Sequence, residues 1–320
     1  MTTVISIILL VIGFILLIKG ADYLIDGSSS LAKKFAISEI VIGLSIISFG
    51  TSAPELIINI FASINHKNEI VLGNIIGSNL QNILIILGVS ALIRPLSVRK
   101  NTVWREIPFV LFAVILLGIL LNDSLLFNAA TSLLSRTDGI ILLLFFLGFL
   151  FYIYKISKID VEEKPDIKIY SPQKMTLLIL SGLLGLFIGG KLVVDNAIKL
   201  AVLFGVSEKL IALTVVALGS SLPELVTSAM AAYRNKVDFA LGNILGSNIF
   251  NILLILGISP LINPVEYIPV LNIDWSILLL ASILLFVSMF AGKKHKLDRW
   301  EAALFLTTYL LYCIYLVKRG

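Results

Sequence analysis

The strongest constraint on this chain is an internal repeat. Gly50-Thr51-Ser52-Ala53-Pro54-Glu55 returns as Gly219-Ser220-Ser221-Leu222-Pro223-Glu224. A second signature, Gly73-Asn74-Ile75-Ile76-Gly77-Ser78-Asn79, returns as Gly242-Asn243-Ile244-Leu245-Gly246-Ser247-Asn248, and both recur 169 residues after their twins. Laid on Gly189–Pro264 without a gap, Gly20–Pro95 matches at about 33 of 76 positions, far beyond chance self-similarity. Two copies of one half therefore build the chain, and each copy sets a glutamate inside an apolar run.

The medium follows from composition. Of 320 residues 58% are hydrophobic and 14% charged, against roughly 25% charged in a soluble domain. The expected fold is an all-α membrane protein. Ten stretches reach the roughly 20 residues a crossing needs: 3–26, 37–63, 69–93, 103–121, 138–155, 174–202, 206–232, 238–262, 273–292 and 299–317. Residues 122–137 add a candidate amphipathic piece, and the first span is expected to be retained and not to serve as a signal peptide. Residues 1–155 form the first five-helix half, 156–173 a charged cytoplasmic linker, and 174–320 the second half.

Orientation follows from the basic residues of the short loops. With the N-terminus outside, Lys33, Lys34, Arg94, Arg99, Lys100, Arg105, Lys155, Lys158, Lys164, Lys168, Lys174, Arg234, Lys236, Lys293, Lys294, Lys296 and Arg299 lie inside, 17 in all. Lys67, Arg136, Lys199, Lys209, Lys318 and Arg319, 6 in all, lie outside. Both termini are then extracytoplasmic in a multi-pass cell-membrane protein. Five spans is an odd number, so the second half must run inverted, the architecture of secondary transporters that bind cargo at the midplane.

A carboxylate at the centre of a spanning helix costs about 2.5–3.5 kcal/mol even on the lenient insertion scale, so Glu55 and Glu224 mark a functional site. Pro54 lacks an N–H and loosens the carbonyls before it, while Thr51 and Ser52 add hydroxyls. Carboxylate, hydroxyl and carbonyl oxygens are hard ligands, suited to Na⁺ and Ca²⁺. In the third spans Ser78 and Asn82 share a helix face, as do Ser247 and Asn251; Asn79 and Asn248 point away and are expected to bond between helices. Gln81 stands opposite Phe250, a polar residue of one half only. Glycines of the first spans suit close packing or sliding. Lys19 with Asp22, and Lys191 with Asp195, are spaced to pair locally. Ser38-Glu39 and Ser207-Glu208 are spaced to cap the second spans.

Other classes fit poorly. Cys313 is the only cysteine, and His66 and His295 fall in connecting segments, so no thiolate cluster and no nucleophile–base set lies in the core and no enzyme is expected. A net charge of +5 spread over loops does not suggest nucleic acid. No cofactor and no obligatory protein partner is expected beyond the transported ions and the lipid bilayer.

The residues GTSAPEL with GNIIGSNLQNIL, and GSSLPEL with GNILGSNIFNIL, resemble the two α-repeats of the cation/Ca²⁺ exchanger superfamily, which includes Na⁺/Ca²⁺ exchangers. The resemblance covers about half the chain. It implies ten helices and four cation subsites, with the first helix of each half as a sliding gate. The ligands it implies are Glu55 and Glu224 at the centre, the hydroxyls of Thr51, Ser52, Ser220, Ser221, Ser78 and Ser247, the backbone carbonyls of Ser48 and Ala217, and Asn82 and Asn251 beside them. Sodium-coupled relatives often carry an aspartate where Asn251 stands, which opens the question of the counter-ion. The expected function is antiport of Ca²⁺ against Na⁺; Ca²⁺/H⁺ antiport in the same superfamily and a cation channel are the alternatives.

The odd number of spans per half has a direct test. In a Cys313→Ser background, a cysteine replacing Lys164 is expected to be labelled by an impermeant thiol reagent only from the cytoplasm, and one replacing Gly320 only from the opposite side. Labelling of both from one side contradicts it.

Overall fold

The computed structural model describes residues 2–123, 132–157, 168–206, 211, 215 and 217–319. Most of the 156–173 linker, part of the 122–137 piece, and Ser207, Glu208 and Lys209 lie outside the described residues. Helices carry the fold: α1 (Thr2–Lys34), α2 (Glu39–Thr51), α3 (Ala53–Ile64), α4 (Asn68–Ile93), α5 (Lys100–Leu121) and α6 (Arg136–Ile156) belong to the first repeat. The second repeat contributes α7 (Pro172–Leu203), α8 (Ala217–Gly219), α9 (Leu222–Tyr233), α10 (Val237–Ile262), α11 (Leu271–Ser288) and α12 (Arg299–Arg319).

Eight of these are long and apolar enough to cross a membrane, and the pair α2–α3, bent by 48°, makes a ninth among the described residues. The expected span 206–232 is described only from its C-terminal side, as α8 and α9. Outward faces are apolar: Ile8, Leu147 and Leu310 are each more than half exposed. That pattern needs a hydrocarbon solvent, and the chain is a multi-pass membrane protein.

Local sequence explains several helix starts. Ser135 accepts from the Asp138 amide at 3.3 Å while the Asp138 carboxylate accepts from the Ser135 amide at 2.8 Å, a reciprocal cap that opens α6. Ser171 caps α7 with Pro172 at its first turn. Ser38 behaves differently from expectation: its side chain makes no cap bond to α2. Glu39 instead meets Lys236 at 2.6 Å, since a buried carboxylate gains more from a full positive charge than from a helix dipole.

Two helices form the centre. Within an apolar stretch of 18 residues about 72% of α4 and 83% of α10 is buried, against 22–44% in the other long spans, and Leu80, Ile83, Ile249 and Leu253 are sealed in the larger apolar cluster. Two short antiparallel ladders tie connecting loops together, Leu96–Ser97 with Lys296–Leu297 and Leu133–Leu134 with Val265–Glu266. Outer helices are fastened by buried polar contacts. Tyr152 donates to Glu106, joining α6 to α5; Tyr312 and Arg319 both donate to Asp274 at 2.7 Å, joining α12 to α11.

The long helices α1 and α7 lie against each other along their glycines, so close packing is the observed role of these residues. A methyl group at Gly20 would lie 2.8 Å from the Gly182 carbonyl, and one at Gly189 would lie 2.7 Å from the Gly13 carbonyl. The expected Lys19–Asp22 pair is not formed. Asp22 and Asp26 both face Arg234 Nη1, at 3.6 and 2.8 Å, because the long side chain at the end of α9 brings one guanidinium nitrogen between the two carboxylates.

Crowding at the α1–α7 contact sets a measurable cost. At Gly182 an added methyl would meet the Leu24 backbone nitrogen at 2.6 Å, and backbone cannot move aside cheaply. Gly182→Ala is expected to destabilise the detergent-solubilised protein by about 1–3 kcal/mol, the usual penalty of overpacking. Gly148→Ala, where nothing lies within 4 Å among the described residues, is expected to be neutral or stabilising, as Ala is the better helix former. Thermal melts of the two variants give the comparison.

Candidate functional site

Each glutamate sits just after a break in its helix. Ser52 between α2 and α3 has φ −82° and ψ 6°, and Ser221 between α8 and α9 has φ −89° and ψ 7°. The break falls at the serine in each repeat. The reason is that Pro54 and Pro223 fit the first turn of a new helix, where no N–H is required, so the turn before them stays wound. Glu55 and Glu224 then stand at helix N-termini, whose partial positive charge favours a carboxylate.

The repeats cross over at this point. Ser52 donates to Glu224 Oε1 at 3.1 Å, and Ser221 donates to Glu55 Oε1 at 3.4 Å, so each glutamate is held by a hydroxyl of the other repeat. Both carboxylates are 1% exposed. A second pair of irregular turns brings in α4 and α10, which widen to π-helical turns at Asn82–Ile86 and Phe250–Ile255. Such widened turns recur at functional sites. They begin at or beside Asn82 and Asn251.

Several buried polar atoms around the glutamates have no partner among the described residues, one of them the amide nitrogen of Asn248 and the rest oxygens. Glu55 Oε2, Glu224 Oε2, Ser247 Oγ, Asn82 Oδ1 and Asn251 Oδ1 are buried with no hydrogen-bond donor. These are oxygens of two carboxylates, one hydroxyl and two amides. Buried acceptors are normally satisfied, and a set of acceptors without donors suits a hard cation. Groups of three or more His, Cys, Asp or Glu that could hold a metal ion are absent among the described residues, so any cation here would rest on two carboxylates and neutral oxygens.

The remaining expected residues take defined places. Ser78 and Ser220 face a cavity of about 630 Å³ lined also by Glu69, Lys191, Asp195, Pro54 and Pro223. The Ser48 carbonyl accepts from the Ser52 amide at 3.0 Å, so it is already engaged. Ala217 lies in α8, beside the break. Asn248 does bond between helices, accepting from Asn82 at 3.1 Å, whereas Asn79 turns back onto the Ile75 carbonyl of its own helix. Gln81 donates to Tyr309 Oη at 3.3 Å, linking α4 to α12, while its counterpart Phe250 packs on Phe49 and Phe146.

One partner escaped sequence reasoning. The Thr51 hydroxyl donates to Asn243 Oδ1 at 2.9 Å, across the two repeats. The duplicated Gly-Asn of the second signature was visible as the signal, but spacing alone did not show which way the amide faces. At the end of the molecule away from the cavity, ion pairs span the repeats: Arg234 with Asp26, Lys236 with Glu39, and Arg99 with Asp238 at 2.9 Å.

Comparison with known proteins places this arrangement. The family described as sodium/calcium exchanger protein matches residues 5–155 and 174–318. Inner membrane protein YrbG of Escherichia coli is 36% identical, with 86% of each chain covered. Sodium/calcium exchanger MaX1 of Methanosarcina acetivorans is 30% identical, with 98% of each covered. Among solved structures, the sodium-calcium exchanger NCX_Mj superposes with a TM-score of 0.83 at 34% identity, over 97% of this chain and 98% of that one.

Proposed function

The chain belongs to the sodium/calcium exchanger protein family, and within it we propose that it exchanges Ca²⁺ for Na⁺ across a cell membrane by alternating access. The observation that carries this is the set of buried acceptor oxygens without donors, centred on Glu55 and Glu224. Glu55 and Glu224 supply charge to the cargo. Ser247, Asn82, Asn251 and the hydroxyls of Thr51, Ser52, Ser78, Ser220 and Ser221 complete the cage, with the backbone of Ser48 and Ala217 at its edge.

The electrostatics favour exchange over leak. Two carboxylates buried without compensation are costly in a medium of low dielectric. One Ca²⁺ neutralises them, and so do Na⁺ ions in sufficient number. Closure around a loaded site is therefore favoured and closure around an empty one is penalised, which couples the two ions through one set of oxygens. The two repeats run inverted in ten spans, and with the N-terminus outside the 630 Å³ cavity opens to the extracytoplasmic face. Protonation of the two glutamates is the second reading, favoured by the oxygen of each that has no donor.

Reconstituted vesicles distinguish the two. Uptake of radioactive Ca²⁺ is expected under an imposed Na⁺ gradient and not under a pH gradient with Na⁺ absent; the reverse result selects protons. Glu55→Gln and Glu224→Gln are each expected to abolish uptake while leaving a folded protein. In thermal melts, Ca²⁺ at about 100 times its Kd stabilises a binding-competent protein by roughly 2.7 kcal/mol, and neither variant is expected to show that gain.

Asn251 offers a further test. An asparagine cannot ionise, so three Na⁺ on two carboxylates leave the centre at +1, an excess charge that a low-dielectric cavity resists. Asn251→Asp is expected to raise the apparent Na⁺ affinity and to change Ca²⁺ binding less. Unchanged inhibition of Ca²⁺ uptake by Na⁺ would put position 251 outside the ion's electrostatic reach.

A further inference from the structure

At the end of the molecule away from the cavity, two loops far apart in sequence are clipped into one surface. Leu96–Ser97, after α4, pairs antiparallel with Lys296–Leu297, before α12, and the Val98 amide donates to the His295 carbonyl at 2.8 Å. Both loops are basic, so the ladder gathers like charges. Their mutual repulsion opposes that arrangement, and a bound anion offsets it.

Some of these cations are already engaged. Arg99 pairs with Asp238 at 2.9 Å and Lys296 with Asp298 at 2.7 Å, while Arg299 donates to the Leu92 carbonyl at 3.2 Å. Arg94, Lys100, Lys293 and Lys294 are exposed, and none makes an ion pair among the described residues. The same surface holds a recess of about 480 Å³, where Arg94 and Lys296 stand with Ser97, Asn235 and Asp238. An arginine, a lysine, a hydroxyl and an amide are donors suited to phosphate oxygens. Asp238 is the acid of this lining, and Arg99 answers its charge.

Aromatic residues give the depth of the recess. Trp104 on α5 and Trp300 on α12 directly follow the two basic loops, and each is more than half exposed. Trp104 also stands against Phe286 and Phe290, with ring centroids 5.9 and 5.3 Å apart. Tryptophan concentrates at the level of lipid headgroups. The adjoining helices α4 and α12 touch, a methyl at Gly88 lying 3.0 Å from Leu306, and they expose Leu92, Ile93 and Leu304 beside the recess. Cations, interfacial tryptophans and an apolar strip together match a phospholipid better than a soluble anion. We propose that this surface binds an anionic phospholipid, with its phosphate between Arg94 and Lys296 and with Lys293 and Lys294 at the rim. With the N-terminus outside, the recess faces the cytoplasmic leaflet, whose anionic lipids attract basic segments. Orientation in the membrane requires cations in these loops, but not a ladder holding them together or a tryptophan beside each. The site is separate from the cargo oxygens and does not depend on the exchanger reading.

Native mass spectrometry of the full chain in mixed micelles tests it. Palmitoyl-oleoyl phosphatidylglycerol and palmitoyl-oleoyl phosphatidylcholine, supplied in equal amounts, have the same acyl chains and differ in net charge. The wild-type protein is expected to retain the anionic lipid in preference by about tenfold or more, since each basic residue near a charged surface contributes about fivefold. Arg94→Gln and Lys296→Gln are each expected to reduce the preference about fivefold, and Arg94→Lys, which keeps the charge, to reduce it less. Lys67→Gln and Arg136→Gln, at the opposite end, are expected to keep the wild-type preference. Equal retention of both lipids by the wild type overturns the proposal, as does an equal loss in the Lys67 and Arg136 variants. Thermal melts separate binding from folding: Arg94→Gln is expected to melt with the wild type in phosphatidylcholine and to lose only the upward shift given by phosphatidylglycerol. A lower midpoint for Arg94→Gln in both lipids makes the residue structural and overturns the proposal. An equal upward shift of the wild type by inorganic phosphate assigns the recess to a soluble anion and also overturns it.

Discussion

The structure depends on keeping two carboxylates in the middle of an apolar helical body. Glu55 and Glu224 are 1% exposed, and neither could stay there on its own repeat. Each is reached by a serine from the other, Ser221 for Glu55 and Ser52 for Glu224. A single hydroxyl offsets little of the cost of burying a charge, so the arrangement is stable in proportion to what else binds there. Cation binding is in this sense part of the fold's electrostatic balance as well as the protein's work.

Helix interruptions are the local means to that end. A proline two residues after a serine starts a fresh helix whose N-terminus meets the glutamate, and the same device occurs at 52–55 and 221–224. The π-helical turns at Asn82 and Phe250 do the complementary thing on α4 and α10, re-aiming side chains without breaking the span. Irregular backbone at membrane depth is tolerated where protein surrounds it. Here the surroundings are the most deeply buried helices of the molecule.

The two ends of the molecule differ although the repeats that form them are alike. At one end Arg234, Lys236 and Arg99 pair with acids across the repeats. At the other, the positions equivalent to Arg234 and Asp26 are Asn65 and Asp195, which cannot form the same ion pair, and a cavity reaches the site. A partly exposed pair such as Arg234–Asp26 is worth only about 0–1 kcal/mol. A difference of that size biases two arrangements of similar energy without freezing either, which suits a carrier that must visit both.

Much was legible in the sequence because its physics is one-dimensional. Apolar runs of spanning length, the duplicated signatures and the two glutamates need no tertiary information, since hydropathy and repetition are read along the chain. The expected set of oxygen donors was likewise in sight, and Glu55, Ser52, Glu224 and Ser221 do converge. The tertiary structure alone decided which groups face which. Asp22 went to Arg234 and not to Lys19, Ser38 capped nothing, and Thr51 found Asn243. Those pairings form between segments more than a hundred residues apart, or yield to such a segment, and helical spacing cannot rank them. Above all, the folded molecule decides which backbones meet: α2 packs onto Gly242 and Gly246, where a side chain would collide with Gly43 and Ser48, and repetition along the chain does not show that contact.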